Sequence, residues 1–140
     1  MKYSAPRNGR EATPHWKAAR EGRLLLPFCT DHDHFCWPPA GRCPKCHSPI
    51  AWRESKGKGA VETFSIVRRP AQAEWKGKEP YIVVFVRLDD GGRILSNLVD
   101  CPPEDARCGA RVTCDFVETT DPELGLPVFR LDEPSRETLD

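Results

Sequence analysis

Cys29-Thr30-Asp31-His32 and Cys43-Pro44-Lys45-Cys46 are the two stretches of sequence on which the fold depends. Each holds a pair of potential zinc ligands two residues apart, and a segment containing Pro38, Pro39 and Gly41 joins them. Two intervening residues let both side chains of a pair turn to one side, while the longer segment lets the chain fold back. The spacing predicts a zinc ribbon in which Cys29, His32, Cys43 and Cys46 hold one structural zinc ion, with no position left for water.

Three nearby residues, His34, Cys36 and His47, compete for the position of the fourth ligand. Cys36 would make the site all-sulfur, but its six-residue gap from Cys29 breaks the two-residue spacing. A ribbon that has lost its metal and keeps its thiols buried is a further alternative. Asp33 and His47 come directly after the second ligand of each pair, where a left-handed backbone turn is expected and glycine is favoured.

The composition indicates one domain with an appendage in a chain of 140 residues. The 21 basic and 21 acidic residues balance, which argues against bulk nucleic acid as the partner, because such binding needs a basic excess. The seven cysteines are accompanied by no apolar N-terminal signal and cluster mainly in the ribbon, so we expect a reducing, cytoplasmic setting rather than a disulfide scaffold. No apolar run approaches the ~20 residues of a membrane span.

The first part of the chain predicts a flexible tail over residues 1–12 and a short helical segment over 13–23. Thr13 is expected to cap the helix, Pro14 suits its first turn, and Gly22 is expected to end it. A helix this short is unstable alone, so Trp16 must be buried, either on its own domain or on another subunit.

The rest of the chain predicts a zinc ribbon over 24–54, a barrel over 55–132 and a polar tail over 133–140. Alternation in the strand from Tyr81 puts four apolar residues on one face, and a hairpin turn follows at Asp89-Asp90-Gly91-Gly92. Five short strands without a long helix favour a mainly β fold closed as an OB-type barrel, because closure removes apolar edges. An open five-stranded sheet is the rival.

Several motifs occur in an order that resembles the DUF35 family, and the resemblance covers about residues 13–131. They are His15-Trp16-Lys17, Arg20-Glu21-Gly22, the ligand pairs with Phe35 and Pro38-Pro39 between them, Gly57-Lys58-Gly59, Val61, Tyr81 and Gly125-Leu126-Pro127-Val128-Phe129. The resemblance implies an N-terminal helix, a rubredoxin-like zinc ribbon and a C-terminal OB-fold. His32 departs from the family pattern, which has cysteine there.

The resemblance also implies a function, that of a non-catalytic accessory or scaffold subunit. Such a subunit would bind acyl-CoA and form a hetero-oligomer with a thiolase-like or other acyl-CoA enzyme. A single-stranded nucleic-acid-binding protein is the alternative, because zinc ribbons and OB-folds both bind single strands.

An acyl-CoA site requires cations for the phosphates and a flat apolar surface for adenine. Lys56 and Lys58 flank the junction between ribbon and barrel, Arg68 and Arg69 end the first barrel strand, and Trp52 could stack on a ligand. We expect no independent catalysis. The four histidines all lie in the first third of the sequence, away from the barrel cysteines Cys101, Cys108 and Cys114.

Overall fold

A computed structural model describes residues 3–6, 12–39, 41–70 and 73–132. Its elements are α1 (Thr13–Arg20), β1 (Leu24–Cys29), β2 (His34–Phe35), β3 (Ala51–Ser55), β4 (Lys58–Val67), β5 (Tyr81–Leu88), β6 (Arg93–Leu98), β7 (Arg111–Glu118) and β8 (Gly125–Leu131). The ribbon is a three-stranded sheet of order β2-β1-β3, and the other strands close a barrel of order β4-β5-β6-β8-β7. The mainly β fold with a closed barrel is confirmed, and the open sheet is excluded.

Strands β5 and β6 form the predicted hairpin around residues 89–92. Their register runs from Ile82 opposite Leu98 to Arg87 opposite Arg93. Alternate residues of β5 are buried, as the sequence predicts; they are Ile82, Val84, Val86 and Leu88. Strand β6 joins β8 through one parallel bridge, between Leu98 and Phe129, which completes the barrel.

Helix α1 ends as predicted but begins differently. The N–H of Arg23 donates to the carbonyl of Ala18, and the N–H of Gly22 to that of Ala19. With Gly22 at a φ of +79°, this pattern is a Schellman motif. The expectation that Thr13 caps the helix is wrong: Thr13 is already helical, and Ala12 before it has no capping side chain. No helix in the ranges described here is long and apolar enough to cross a membrane.

His15 and Trp16 are two buried residues through which helix α1 packs against the rest of the protein. His15 is fully buried and Trp16 is 9% exposed, so Trp16 packs within its own domain. The Nδ1 of His15 lies 2.8 Å from the carbonyl oxygen of Leu25, and because a carbonyl only accepts, Nδ1 carries the proton. The rings of Trp16 and Trp37 stand edge-on to the imidazole, at centroid distances of 4.4 and 5.5 Å. Burial lowers the pKa of His15 to about 4, which the bond to Leu25 only partly opposes.

The ribbon and the barrel share one hydrophobic core. Leu24, Leu26, Phe28 and Phe35 of the ribbon belong to the same buried cluster as the inward-facing side chains of the barrel. Each fully buried side chain of this kind stabilises the fold by about 1.5 to 3 kcal/mol. The ribbon therefore buries these apolar side chains in a core that it shares with the barrel.

The turn of the β5–β6 hairpin presses against the ribbon at Gly92. This glycine has a φ of +87°, and a Cβ atom there would lie 2.4 Å from the carbonyl oxygen of Phe35. No side chain fits between two backbones at that separation. Glycine at this position thus lets the barrel and the ribbon meet.

Residues 3–6 differ from the predicted flexible tail. The N–H of Tyr3 donates to the carbonyl of Glu118, and the carbonyl of Tyr3 accepts from the N–H of Thr120. The Tyr3 ring stands edge-on to Trp75 at 5.8 Å. These backbone bonds hold the segment on the end of β7, a long-range pairing that a polar sequence does not reveal. The remainder of the predicted tail up to residue 11, and the tail over 133–140, lie outside the described residues.

Gly92→Ala should lower the free energy of unfolding by about 2 to 4 kcal/mol, because it adds a clash with Phe35 to the cost of a positive φ. Gly109→Ala is the matched control, since Gly109 has the same φ of +87° and no atom lies within 4 Å of the place that its Cβ would take. It should cost only about 1 to 2 kcal/mol. Urea unfolding measures both, and equal losses would contradict the close contact.

The lowered pKa of His15 predicts that the folded protein loses stability in acid. The pKa of this histidine is about 4 in the folded chain against an ordinary value of 6.5, so the unfolded chain takes up the proton first. Stability present above pH 6.5 is therefore lost as the pH falls towards 4, by up to roughly 3 kcal/mol. His15→Asn, which can still donate to Leu25 but does not titrate, should lack this loss.

The measurement is urea unfolding of both proteins at pH 7, 5.5 and 4. Zinc binding depends on pH in both proteins, so the difference between the two curves isolates His15. Parallel curves would show that the imidazole is not buried in its neutral form.

Candidate functional site

Four side chains meet at the end of the ribbon. The ligand atoms of Cys29, His32, Cys43 and Cys46 all lie within 4.8 Å of one another. The Sγ atoms of Cys29 and Cys46 are 3.7 Å apart, and His32 Nδ1 lies 3.6 Å from Cys29 Sγ and 3.9 Å from Cys43 Sγ. A tetrahedral zinc with bonds of about 2.3 Å to sulfur and 2.0 Å to nitrogen needs separations of about 3.8 and 3.5 Å. The four residues are therefore positioned to bind one zinc ion.

The backbone around Cys43 favours its thiolate, the form that binds metal. Burial would raise the pKa of this thiol, but hydrogen bonds from the backbone N–H groups of Cys46 and Lys45 and from the Cys29 and Cys46 side chains together outweigh it and lower the pKa to about 7. The N–H of Lys45 lies 3.4 Å from Cys43 Sγ. The second ligand pair thus turns its amides towards sulfur, as a structural zinc site requires.

The structure separates Cys36 from the ligand set and decides for His32. Cys36 is buried beside Cys29 and Cys43, yet it is not one of the four converging ligands. Burial raises the pKa of its thiol to about 11, which keeps it neutral. His34 stacks on His32 with ring centroids 5.6 Å apart, and His47 is exposed beyond the second pair.

The two predicted left-handed turns are confirmed. Asp33 has a φ of +55° and His47 a φ of +63°. Each follows the second ligand of its pair, where the backbone reverses to bring both ligands to one side. The ribbon therefore accepts backbone strain at two non-glycine residues in order to close the metal site.

A cleft of about 610 Å³ opens between the ribbon and the barrel, next to the metal centre. We call it the ribbon–barrel cleft. His34–Trp37, Pro44 and Lys45 line it on the ribbon side, and Glu62, Arg87 and Gly92–Arg93 line it on the barrel side. Its volume falls within the range of small-molecule sites, about 300 to 1,000 Å³.

The barrel wall of the cleft carries a small charged cluster. One carboxylate oxygen of Glu62 lies 3.2 Å from Arg93 Nη1 and 3.8 Å from Arg87 Nη2. The Arg93 guanidinium also lies over the ring of Phe85, 4.7 Å from its centroid. Lys45 faces the cluster from the ribbon, so the cleft holds more positive than negative charge.

The structure does not bring the five predicted ligand-binding residues to this cleft. Lys56 and Lys58 lie beside Asp89 and Asp90: the N–H of Lys56 donates to Asp90, and the ammonium of Lys58 to Thr113. Neither lysine lines the cleft. Arg68 and Arg69 are exposed beyond the far end of β4, and Trp52 is half-buried opposite Pro27 in the ribbon sheet.

A sequence signal for Arg87 and Arg93 did exist. The turn predicted at residues 89–92 places these residues opposite each other in the hairpin, as the register confirms. Like charges directly opposite in a sheet are destabilising, so the sequence indicated two cations that need a negative charge beside them. Glu62 and Lys45 carried no comparable signal, because they reach the cleft only through tertiary packing.

Two family models match adjoining parts of the chain. Residues 16–52 match "ChsH2, rubredoxin-like zinc ribbon domain", and residues 52–117 match "ChsH2, C-terminal OB-fold domain". A DUF35 domain-containing scaffold protein of Methanocaldococcus jannaschii is 33% identical over 104 residues, which are 72% of this chain and 73% of that protein. The chain belongs to the DUF35 family. This membership confirms the resemblance seen in the sequence, including the rubredoxin-like ribbon.

Two further proteins that the chain resembles are described by the names of enzymes. A solved structure described as an Ltp2-ChsH2(DUF35) aldolase contains a chain with a TM-score of 0.76 and 32% identity, covering 91% of this chain and 99% of that one. A probable enoyl-CoA hydratase alpha subunit of Thermomonospora curvata is 34% identical over 125 residues, or 88% of this chain. The chain spans only 38% of the length of that hydratase subunit.

The geometry of the zinc site predicts that substitutions of Cys43 and Cys36 have different effects on zinc content. Cys43→Ser should reduce the zinc content from about one ion per chain to almost none and unfold the ribbon, because structural zinc contributes on the order of 10 kcal/mol. Cys36→Ser, the matched control, should keep its zinc, since Cys36 stands outside the ligand set.

Metal analysis of protein purified without added metal, together with thermal unfolding, measures both effects. Loss of zinc from Cys36→Ser with retention in His32→Ala would show that the fourth ligand is sulfur.

Proposed function

We propose that this protein is a non-catalytic accessory subunit that pairs with a thiolase-fold enzyme and holds an acyl-CoA in the ribbon–barrel cleft. The observation that carries the proposal is the make-up of the cleft. Arg87, Arg93 and Lys45 can bind the phosphates, and the half-buried Trp37 offers a flat apolar surface. These are the groups that a phosphorylated adenine nucleotide with an apolar arm requires.

The non-catalytic part of the proposal is supported by the state of the thiols. Burial raises the pKa of Cys114 to about 12 and also raises that of Cys101, so both thiols stay protonated. Cys29, Cys43 and Cys46 are directed at the metal position, where four protein ligands leave no place for substrate. His15 is buried in its neutral form against Leu25 and does not line the cleft.

The partner part of the proposal rests on the relatives. The solved relative is part of an assembly described as an aldolase, and another is described as a hydratase subunit. A thiolase-fold partner follows from the family resemblance. Single-stranded nucleic acid is less well supported, because the chain has no net charge and its cleft cations converge on one cavity rather than along an extended groove.

A pull-down of the tagged chain from its native host tests the partner. At moderate salt we expect an acyl-CoA enzyme of the thiolase fold in fixed ratio, identified by mass spectrometry and by the size of the complex. Recovery of the chain alone, or with nucleic acid that salt removes, would contradict the accessory role.

The double variant Arg87→Gln, Arg93→Gln should weaken the affinity for CoA at least about tenfold, because charged hydrogen bonds to phosphate are lost. Lys56→Gln, Lys58→Gln is the matched control, with the same change of charge outside the cleft, and should bind CoA like the natural chain. Isothermal titration of the full-length proteins measures both. Weaker binding in the lysine variant alone would assign the ligand to the junction lysines instead.

A further inference from the structure

Glu62 lies at an irregular point of strand β4. The pairing of β4 with β5 shifts register between Val61 and Thr63, so Glu62 is the extra residue of a β-bulge. A bulge re-aims the side chain of its extra residue, and bulges recur next to functional sites. Here the side chain lines the ribbon–barrel cleft and is only 27% exposed.

The side chain of Glu62 meets two cations that repel each other. Arg87 and Arg93 are directly opposite in the β5–β6 pair, an arrangement that costs free energy when the charges are alike. The Glu62 carboxylate contacts both guanidinium groups, at 3.8 and 3.2 Å. One carboxylate between two cations leaves one positive charge uncompensated. The guanidinium side chains are 72% and 56% exposed, so an arriving anion can reach them.

We propose that Glu62 is an internal counter-ion that a phosphate group of the ligand displaces from the Arg87–Arg93 pair. The identity of the ligand as an acyl-CoA rests on the proposed function, whereas the displacement rests on the bulge and the ion pairs alone. Glu62 would then determine which anions the cleft accepts.

The selectivity follows from how strongly an anion interacts with the two arginines compared with the Glu62 carboxylate that it displaces. A single carboxylate only replaces the contacts that Glu62 already makes, so it gains little. A phosphate monoester at neutral pH carries up to two charges and three acceptor oxygens, so it interacts more strongly with both arginines and with Lys45. The cleft should therefore favour phosphorylated ligands over free carboxylic acids.

The test is isothermal titration of the full-length chain and Glu62→Gln with CoA, with dephospho-CoA and with pantetheine. Removing one like charge a few ångströms from the phosphate should strengthen CoA binding about tenfold. Dephospho-CoA, which lacks the 3′-phosphate, should gain less, and uncharged pantetheine should not change. Because the expected effect is tighter binding, a misfolded variant cannot imitate it.

Glu54→Gln is the matched control. Glu54 also pairs with an arginine, Arg23, at 3.1 Å, but it lies on β3 outside the cleft. The substitution makes the same change of charge and should leave the affinity for CoA unchanged. An equal gain in both variants would mean that overall charge, rather than displacement, governs binding, and would overturn the inference.

Inorganic pyrophosphate serves as a second probe that separates this inference from the proposed function. Tighter binding of pyrophosphate to Glu62→Gln, with no binding of CoA to either protein, would keep the counter-ion role and refute the acyl-CoA ligand. Equal or weaker binding of pyrophosphate to Glu62→Gln would overturn the counter-ion role. Failure of both probes to bind both proteins would overturn it too, since the arginine pair would then not be an anion site.

Discussion

The packing of ribbon strand β1 into the core of the barrel is the interaction on which the rest of the structure depends. Leu24, Leu26 and Phe28 bury their side chains in the same cluster as the barrel residues Val84 and Phe129. A three-stranded ribbon sheet has little apolar surface of its own, so it is held by this core on one side and by the metal ligands on the other. Since the hairpin turn also contacts the ribbon backbone, the two units are fixed together.

This junction brings side chains of both the ribbon and the barrel to the cleft. The barrel brings two arginines to one wall through the register of a single hairpin. The ribbon brings Trp37 and Lys45 to the other wall, on segments whose backbones are set by the metal site. Neither unit alone would form the proposed site, because the two arginines belong to the barrel and Trp37 belongs to the ribbon. A scaffold subunit that presents such a ligand to an enzyme would need this fixed geometry.

The sequence was sufficient wherever structure follows from local spacing. Two-residue gaps between ligands predicted the metal centre, and strict alternation in β5 predicted its buried face. The turn at residues 89–92 predicted the hairpin. The residues after each ligand pair predicted left-handed backbone at Asp33 and His47, because the reversal of the chain requires it whatever side chain is present. Closure into a barrel followed from the need to protect apolar strand edges.

Only the tertiary structure shows which residues from distant parts of the chain lie together. His32 rather than Cys36 completes the ligand set, because the fold turns the imidazole towards three sulfurs and leaves the Cys36 thiol buried beside them. Lys56 and Lys58 lie outside the cleft, whereas Arg87 and Arg93 reach it with Glu62 between them. Sequence spacing reports which residues are near along the chain. The electrostatic environment of a cation depends on side chains from other strands, and these come close to it only when the chain folds.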